Sequence, residues 1–264
     1  MGYLHAGHIE LVKQIRSRCD VLIASIFVNP TQFGPNEDFS RYPRDEAHDV
    51  ALLEEVGVDV VFTPEAATVY PPGFQTYIDV GSLSEVLCGK FRPVHFRGVA
   101  TIVLKLFRTT HCDIAIFGLK DFQQAAIISR MVADLNLEVE LILSPTVREL
   151  DGLAMSSRNK LLSEIERKMA RAVPRALEAA RVAASLGEQK SARLADIVRR
   201  KLESDPSILI QYIEIVDPVN LHPVERIGKR SQLAVAVFVG KTRLIDNVAI
   251  GPEGDPDRLF EEQK

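Results

Sequence analysis

The chain of 264 residues contains no tryptophan, and aromatic residues make up only 6% of it. Its core must therefore be built from aliphatic side chains, which a hydrophobic content of 46% supplies. Cysteine is scarce: Cys19, Cys88 and Cys112 are odd in number, widely spaced and without a C-x-x-C pair. That pattern excludes a disulfide framework, suits a reduced cytosolic protein, and reads as three small hydrophobes. No apolar run has the length of a membrane span, and no signal-peptide pattern opens the chain, so a soluble, cytoplasmic protein is expected. No sign of charge dominates either. A net charge of −4 makes no electrostatic case for nucleic acid as a partner. There are no internal repeats.

What is present is alternation. Residues 21–28 (VLIASIFV) form a nearly continuous apolar run, which reads as a strand buried on both faces. Residues 58–62 and 114–117 are similar, and 139–143 alternates with acidic residues like a strand nearer an edge. Helical patterns lie between them, over 45–56, 98–107 and 121–135. Strand alternating with helix predicts a parallel sheet covered on both faces, with ligands bound beyond the carboxyl ends of its strands. After Val147 the texture changes. Residues 164–185 read as a long helix with a kink or break at Pro174, and 192–202 as a second helix. Three antiparallel strands follow over 208–216, 233–239 and 242–248, the last two joined through Gly240-Lys241. The expected division is a first domain over 1–147, an α+β domain over 148–250, and a polar, disordered tail over 251–264.

The chemistry-bearing residues sit in loops. His5-Ala-Gly-His8 stands at the entry to an apolar-periodic helix carrying Leu11, Val12 and Ile15. A helix N-terminus has unpaired N–H groups and partial positive charge, and each imidazole can add a donor, so the segment suits a phosphate. Elsewhere an H-x-x-H pair is a surface pair or an incidental metal site. No Cys or carboxylate cluster nearby completes a zinc set. Asn29-Pro30-Thr31-Gln32 follows the first apolar run, and its two amides can bind hydroxyls or a carboxylate, although ordinary turn residues would look the same. Gly118-Leu119-Lys120-Asp121 precedes a helix on which Gln124 occupies the first turn. Lys120 suits a phosphate, and Asp121 suits either a helix cap or ribose hydroxyls. Met155-Ser156-Ser157-Arg158 offers two hydroxyls and a planar guanidinium, a combination fit to clamp pyrophosphate. Arg92 and His95 belong to a further basic loop that could meet an anion, though such loops are ordinarily solvated.

The ordered set MGYLHAGH, SIFVNPTQF, RYPRD, HFRGV, GLKDFQQ and AMSSRN, continued by LIDN at 244–247, resembles the pantothenate synthetase (pantoate–β-alanine ligase) family. The resemblance runs in register from Met1 to about Val248. It implies a Rossmann-like α/β domain of the HxGH nucleotidyltransferase type with a smaller C-terminal α+β lid domain, in a cytosolic homodimer. It also implies ATP-dependent condensation of pantoate with β-alanine through pantoyl adenylate, with Mg²⁺ accompanying ATP. On this resemblance His5, His8, Lys120 and Arg158 are catalytic. Met1, Gly2, His5, His8, Gly118, Lys120, Asp121, Val147, Met155, Ser156, Ser157 and Arg158 contact ATP. Gln32, Gln124 and Asn29 contact pantoate. Arg92 and His95 are secondary candidates, and no metal ligands are assigned. Asp49 reads as an exposed helix carboxylate, with a Mg²⁺ contact as the alternative.

Two departures stand out. Leu119 occupies a position where the family has Glu, which implies tuning rather than loss. The family also has a first β-strand ahead of Met1-Gly2. Losing about five buried aliphatic side chains at roughly 1.5–3 kcal/mol each would remove on the order of 8–15 kcal/mol. That matches the whole stability of a typical domain, about 5–15 kcal/mol. The expectation is thus a native chain that begins upstream, and an unstable or poorly active 264-residue form. Two other functions compete with the ligase: another HxGH nucleotidyltransferase, and a non-catalytic or weakly active dimer that keeps nucleotide binding.

Overall fold

The computed structural model describes residues 2–35 and 37–251. Met1 and the tail from 252 lie outside the described residues, and with them the expectations placed there. The chain clusters into two compact units. The first comprises Met1–Glu85, Gly89–Phe117 and Ile127–Ser144. The second takes Val86–Cys88, Gly118–Ala126 and everything from Pro145 onward. Sequence order would assign Gly118–Ala126 to the first domain, but packing groups it with the second.

The first unit is α/β. Helix α1 (Ala6–Arg16) leads to strand β1 (Ile23–Ser25), helix α2 (Glu46–Glu55) to β2 (Val60–Phe62), and helix α3 (His95–Thr110) to β3 (Ile114–Gly118). Helix α4 (Phe122–Asp134), which belongs to this unit from Ile127 on, then leads to β4 (Glu140–Ser144). β1 and β2 pair in parallel, Ile23 opposite Val60, and Leu4, Ile26 and Leu53 form a buried cluster beside them. The sheet is less continuous than the apolar runs predict. β1 pairs with β2 and β3 with β4, and among the described residues no ladder joins the two pairs. The run over 21–28 contributes only three paired residues, all half-buried, and Val21 is exposed. Pairing stops early because Asn29-Pro30 ends one run and Thr63-Pro64 the other, and proline cannot donate to a ladder. α3 is well buried. Phe96, Val99, Ala100, Val103 and Phe107 recur at helical spacing along its inner face. His111 closes it in the left-handed conformation, φ 49°.

The second unit is α+β. Helices α5 (Glu164–Ala170) and α6 (Ala172–Ser185) meet at Arg171, so Pro174 falls in the first turn of α6. A proline there removes no helical hydrogen bond, and the break precedes it by three residues. Ser163 caps α5 in a reciprocal bond with Glu166. Helix α7 (Ser191–Glu203) follows. Strands β5 (Ile208–Val216), β6 (Ser231–Val239) and β7 (Thr242–Ile250) make an antiparallel sheet with β6 central. Leu177, Leu194, Val198 and Leu202 from the helices are sealed against Leu233, Val235, Val237 and Val239 of the sheet. Gly240 turns β6 into β7 at φ 56°, a conformation that favours glycine.

Candidate functional site

Two groups of residues are built in the first unit. His5 is extended at the N-cap of α1 and its carbonyl accepts the His8 N–H at 2.8 Å. In return the His5 N–H donates to His8 Nδ1 at 3.3 Å, and the two rings stack with centroids 3.9 Å apart. Because His8 Nδ1 accepts, the neutral ring carries its proton on Nε2, which is thereby a donor. Gly2 is buried, and a Cβ there would meet Val28 at 3.1 Å. Asp49 overturns its reading as an exposed carboxylate. It is fully buried, and its two oxygens accept the N–H groups of Tyr3 and Leu4 at 2.6 Å each. The physical reason is helical phase: Leu53, one turn later on the same face, belongs to the core.

The second group surrounds Asn29, which is also buried. Its Oδ1 accepts from the Thr31 hydroxyl and from Tyr70 Oη, both at 2.9 Å. Its Nδ2 donates to the Gly98 carbonyl at 3.0 Å and to Gln32 Oε1 at 3.3 Å. With the Gln32 oxygen accepting, the Gln32 Nε2 end is the donor this loop can offer to an oxygen-rich ligand. Gly98 is required by close approach, since a Cβ there would lie 2.5 Å from the Thr31 carbonyl and 2.6 Å from the Gln32 nitrogen. His95 Nδ1 lies 2.9 Å from the Gln32 carbonyl oxygen. Arg92, a candidate for an anionic ligand, is instead engaged by Glu37 through both Nε, at 2.9 Å, and Nη2. Burial raises the Glu37 carboxyl, and the Arg92 hydrogen bond and charge outweigh it, so the group sits below the ordinary carboxylate range. Burial likewise pushes the Tyr70 hydroxyl up, against the opposing hydrogen bond it accepts from Thr31.

The remaining candidates belong to the second unit. Lys120 is half-buried, with Nζ 3.8 Å from Asp121 Oδ2. Its loop is held from β7: Asn247 Nδ2 donates to the carbonyls of Leu119 at 3.0 Å and Lys120 at 2.9 Å. Gln232 Nε2 fixes the other end of that amide, donating to Asn247 Oδ1 at 2.5 Å. Leu119 is buried, which accounts for an apolar residue there. Gly118 has open space around the Cβ it lacks, and Gln124 is half-buried on α4. Val147 and Met155 face each other across a hairpin, the Met155 N–H donating to the Val147 carbonyl at 2.9 Å. Ser156 Oγ accepts the Arg158 N–H at 3.3 Å, Ser157 is buried, and Arg158 is half-buried. Asn159 locks this turn by donating to Glu149 Oε1 at 2.6 Å and the Ala154 carbonyl at 3.0 Å. Arg148 makes a bidentate pair with the buried Asp246 at 2.7 and 3.0 Å.

Each unit thus carries ligand-type loops pinned by side chains remote in sequence. The structure brings together His5 with His8, Asn29 with Gln32, Lys120 with Asp121, and Val147 with Met155. The pinning residues Tyr70 and Glu37 are not named by sequence reasoning, and Asn247 enters it only as the last residue of the LIDN segment.

A family model described as pantoate-beta-alanine ligase matches residues 1–249. The chain belongs to the pantoate–β-alanine ligase family. A pantothenate synthetase from Syntrophotalea carbinolica is 56% identical over 247 residues, covering 94% of this chain and 87% of that protein. The Geobacter sulfurreducens pantothenate synthetase is 52% identical, covering 96% and 89%. Among solved structures, the pantothenate synthetase of Thermus thermophilus superposes with a TM-score of 0.93 at 45% identity, over 96% of this chain and 91% of that one. A pantoate-beta-alanine ligase from Francisella tularensis, solved with beta-gamma ATP and beta-alanine, gives 0.78 at 34% identity, over 97% and 88%. The α/β class with a C-terminal antiparallel unit is therefore that of the pantoate–β-alanine ligases.

Proposed function

We propose that the chain condenses pantoate with β-alanine at the expense of ATP, in two steps without a covalent enzyme intermediate. A pantoate carboxylate oxygen attacks the α-phosphorus, and the bond to the β-phosphate oxygen breaks, releasing pyrophosphate and leaving pantoyl adenylate. The β-alanine nitrogen then attacks the acyl carbon, the bond to the AMP oxygen breaks, and the amine gives up a proton. The observation that carries this reading is the family match over residues 1–249, and the sequence presents His5, His8, Gln32, Lys120, Gln124 and Arg158 as its candidate site residues.

On this reading His5 and His8 stabilise charge developing at the α-phosphate, with the His8 Nε2–H as one donor. Lys120 neutralises the phosphates, and Ser156, Ser157 and Arg158 hold the departing pyrophosphate. Gly118 and Asp121 face the ribose, and Gly2, Val147 and Met155 complete the nucleotide contacts. Gln32 and Gln124 bind pantoate, with Asn29 acting through Gln32. No general base is needed for the first step, because the carboxylate is already ionised. Among the described residues no three His, Cys, Asp or Glu side chains converge as a metal site, and both Asp49 oxygens are engaged by backbone. Mg²⁺ bound with ATP would supply charge neutralisation at the phosphates, and no protein ligand is assigned to it. Homodimerisation and a cytoplasmic location are proposed on the family resemblance. No described helix is long and apolar enough to cross a membrane.

The test is AMP release from the purified chain with ATP, Mg²⁺ and pantoate, with and without β-alanine. Release that requires both pantoate and β-alanine supports the ligase. Sustained nucleotide transfer to an acceptor other than pantoate points to another HxGH nucleotidyltransferase, and nucleotide binding without pyrophosphate or AMP release to a non-catalytic dimer.

A further inference from the structure

Asp49 is a buried ionisable group for which the proposed reaction has no use. It lies in the first turn of α2, whose N-cap Asp45 accepts the His48 N–H at 3.1 Å, so capping is already provided. Asp49 is 0% exposed, and it spends both carboxylate oxygens on backbone N–H groups 46 and 45 residues away, at Tyr3 and Leu4. Tyr3 is held at φ 57°, a left-handed conformation that a non-glycine residue adopts only under constraint. Leu4, next in the chain, buries its side chain against Leu53 and Ile26. His5 follows directly, leaves the segment extended, and carries His8 on its own N–H.

We infer that Asp49 is a positioning residue for the proposed ligase reaction: its carboxylate sets the backbone of Tyr3 and Leu4 and thereby the two imidazoles at the start of α1. The inference rests on the role proposed for His5 and His8. The shape of the side chain is not enough for this task. An asparagine in the same place offers one acceptor and turns an NH₂ donor toward a second N–H donor. One of the two loop bonds is then replaced by a repulsion, and the imidazoles shift. Displacement of such groups by about 1 Å costs roughly 10²-fold in rate.

The test is Asp49→Asn in the full chain, assayed below its thermal transition. Positioning predicts that kcat and kcat/KM for ATP fall together, roughly 10²-fold, with KM for ATP unchanged, because the lost interaction belongs to the transition state. It also predicts that excess Mg²⁺ does not restore the rate. A lowered thermal midpoint with wild-type kcat would reduce Asp49 to a structural residue and overturn the inference. Recovery with Mg²⁺ would overturn it in favour of a metal ligand. Should Asp49→Asn fail to fold, Asp49→Glu keeps the charge and carries both acceptors one methylene further out, and the same split is expected of it. Amide hydrogen exchange on the wild-type chain reads the geometry independently of turnover. Slow exchange at Tyr3 and Leu4 is expected, and fast exchange at both sinks the proposal. A wild-type chain without β-alanine-dependent AMP release would remove the proposed function while leaving this backbone tether to be judged by exchange alone.

Discussion

The two units hold their ligand loops with side chains of opposite polarity. In the first, a carboxylate gathers N–H groups: Asp49 takes those of Tyr3 and Leu4. In the second, an amide gathers carbonyls: Asn247 takes those of Leu119 and Lys120. The consequences for a phosphate ligand differ. The Asn247 tether withdraws two carbonyl dipoles that would repel an anion and adds no net charge. The Asp49 tether uses up two donors and adds a negative charge. On the function proposed above, attraction in the first unit comes from the α1 N-terminus and the His5 and His8 rings. The supports differ as well. Asn247 stands in a nine-residue strand paired along its length, whereas the His5 loop adjoins a ladder of three paired residues. What a tether consumes decides what its loop has left to offer.

The sharpest way to break this comparison is His8→Ala. If imidazole donors compensate for the groups Asp49 consumes, turnover should fall roughly 10²–10³-fold. An unchanged rate of AMP release would mean that the helix N-terminus suffices. Next is Asn247→Asp, which keeps the shape and reverses the polarity. It sets a carboxylate against two carbonyls and strips Leu119 and Lys120 of a buried donor, at a cost of about 3 kcal/mol. Urea unfolding measures it, and a midpoint equal to wild type would show that polarity is irrelevant to the second tether. Gly98→Ala tests the first unit's other loop. The added methyl group must displace the backbone of Thr31 and Gln32, so a stability loss of about 1–3 kcal/mol and a raised KM for pantoate are expected together. A normal KM in a destabilised variant would separate the packing of this loop from its role.

The smallest effect concerns Glu37 and is read by pH. Its folded pKa is depressed, so its contribution is present above the unfolded value of about 4.3 and is lost as pH falls through the lower folded value. Glu37→Gln should cost about 0.2–1 kcal/mol near neutrality and make the acid limb of the stability curve shallower. An unaltered acid limb would show that the Arg92 pair adds no net stability.

Sequence alone disclosed most of this architecture, because apolar periodicity over ten or more residues survives any packing detail. α2, α4 and α7 fall within about two residues of the predicted stretches. The sheet was the harder part: an apolar run shows that a strand can be buried, not how many of its residues find a partner. At the site, loops following strands were legible from their residue types, but the groups that pin them were not. Arg92 meets Glu37 across 55 residues, and Asn29 meets the Gly98 carbonyl across 69, separations that leave no local pattern. Asp49 was misread for a different reason. It shares a helical face with Leu53, and an acidic residue on that face is more simply taken for a solvated one until its two partners are seen.

The Asn247 bond also sets a timetable. The carbonyl it captures at Lys120 lies 127 residues earlier in the chain. At about 5–20 residues per second, the ribosome delivers Asn247 on the order of 6–25 s after Lys120 has been made. During that interval the Lys120 loop exists as polypeptide but not as a fixed shape. A nascent chain halted between Lys120 and Asn247 therefore carries the lysine without the residue that holds its loop.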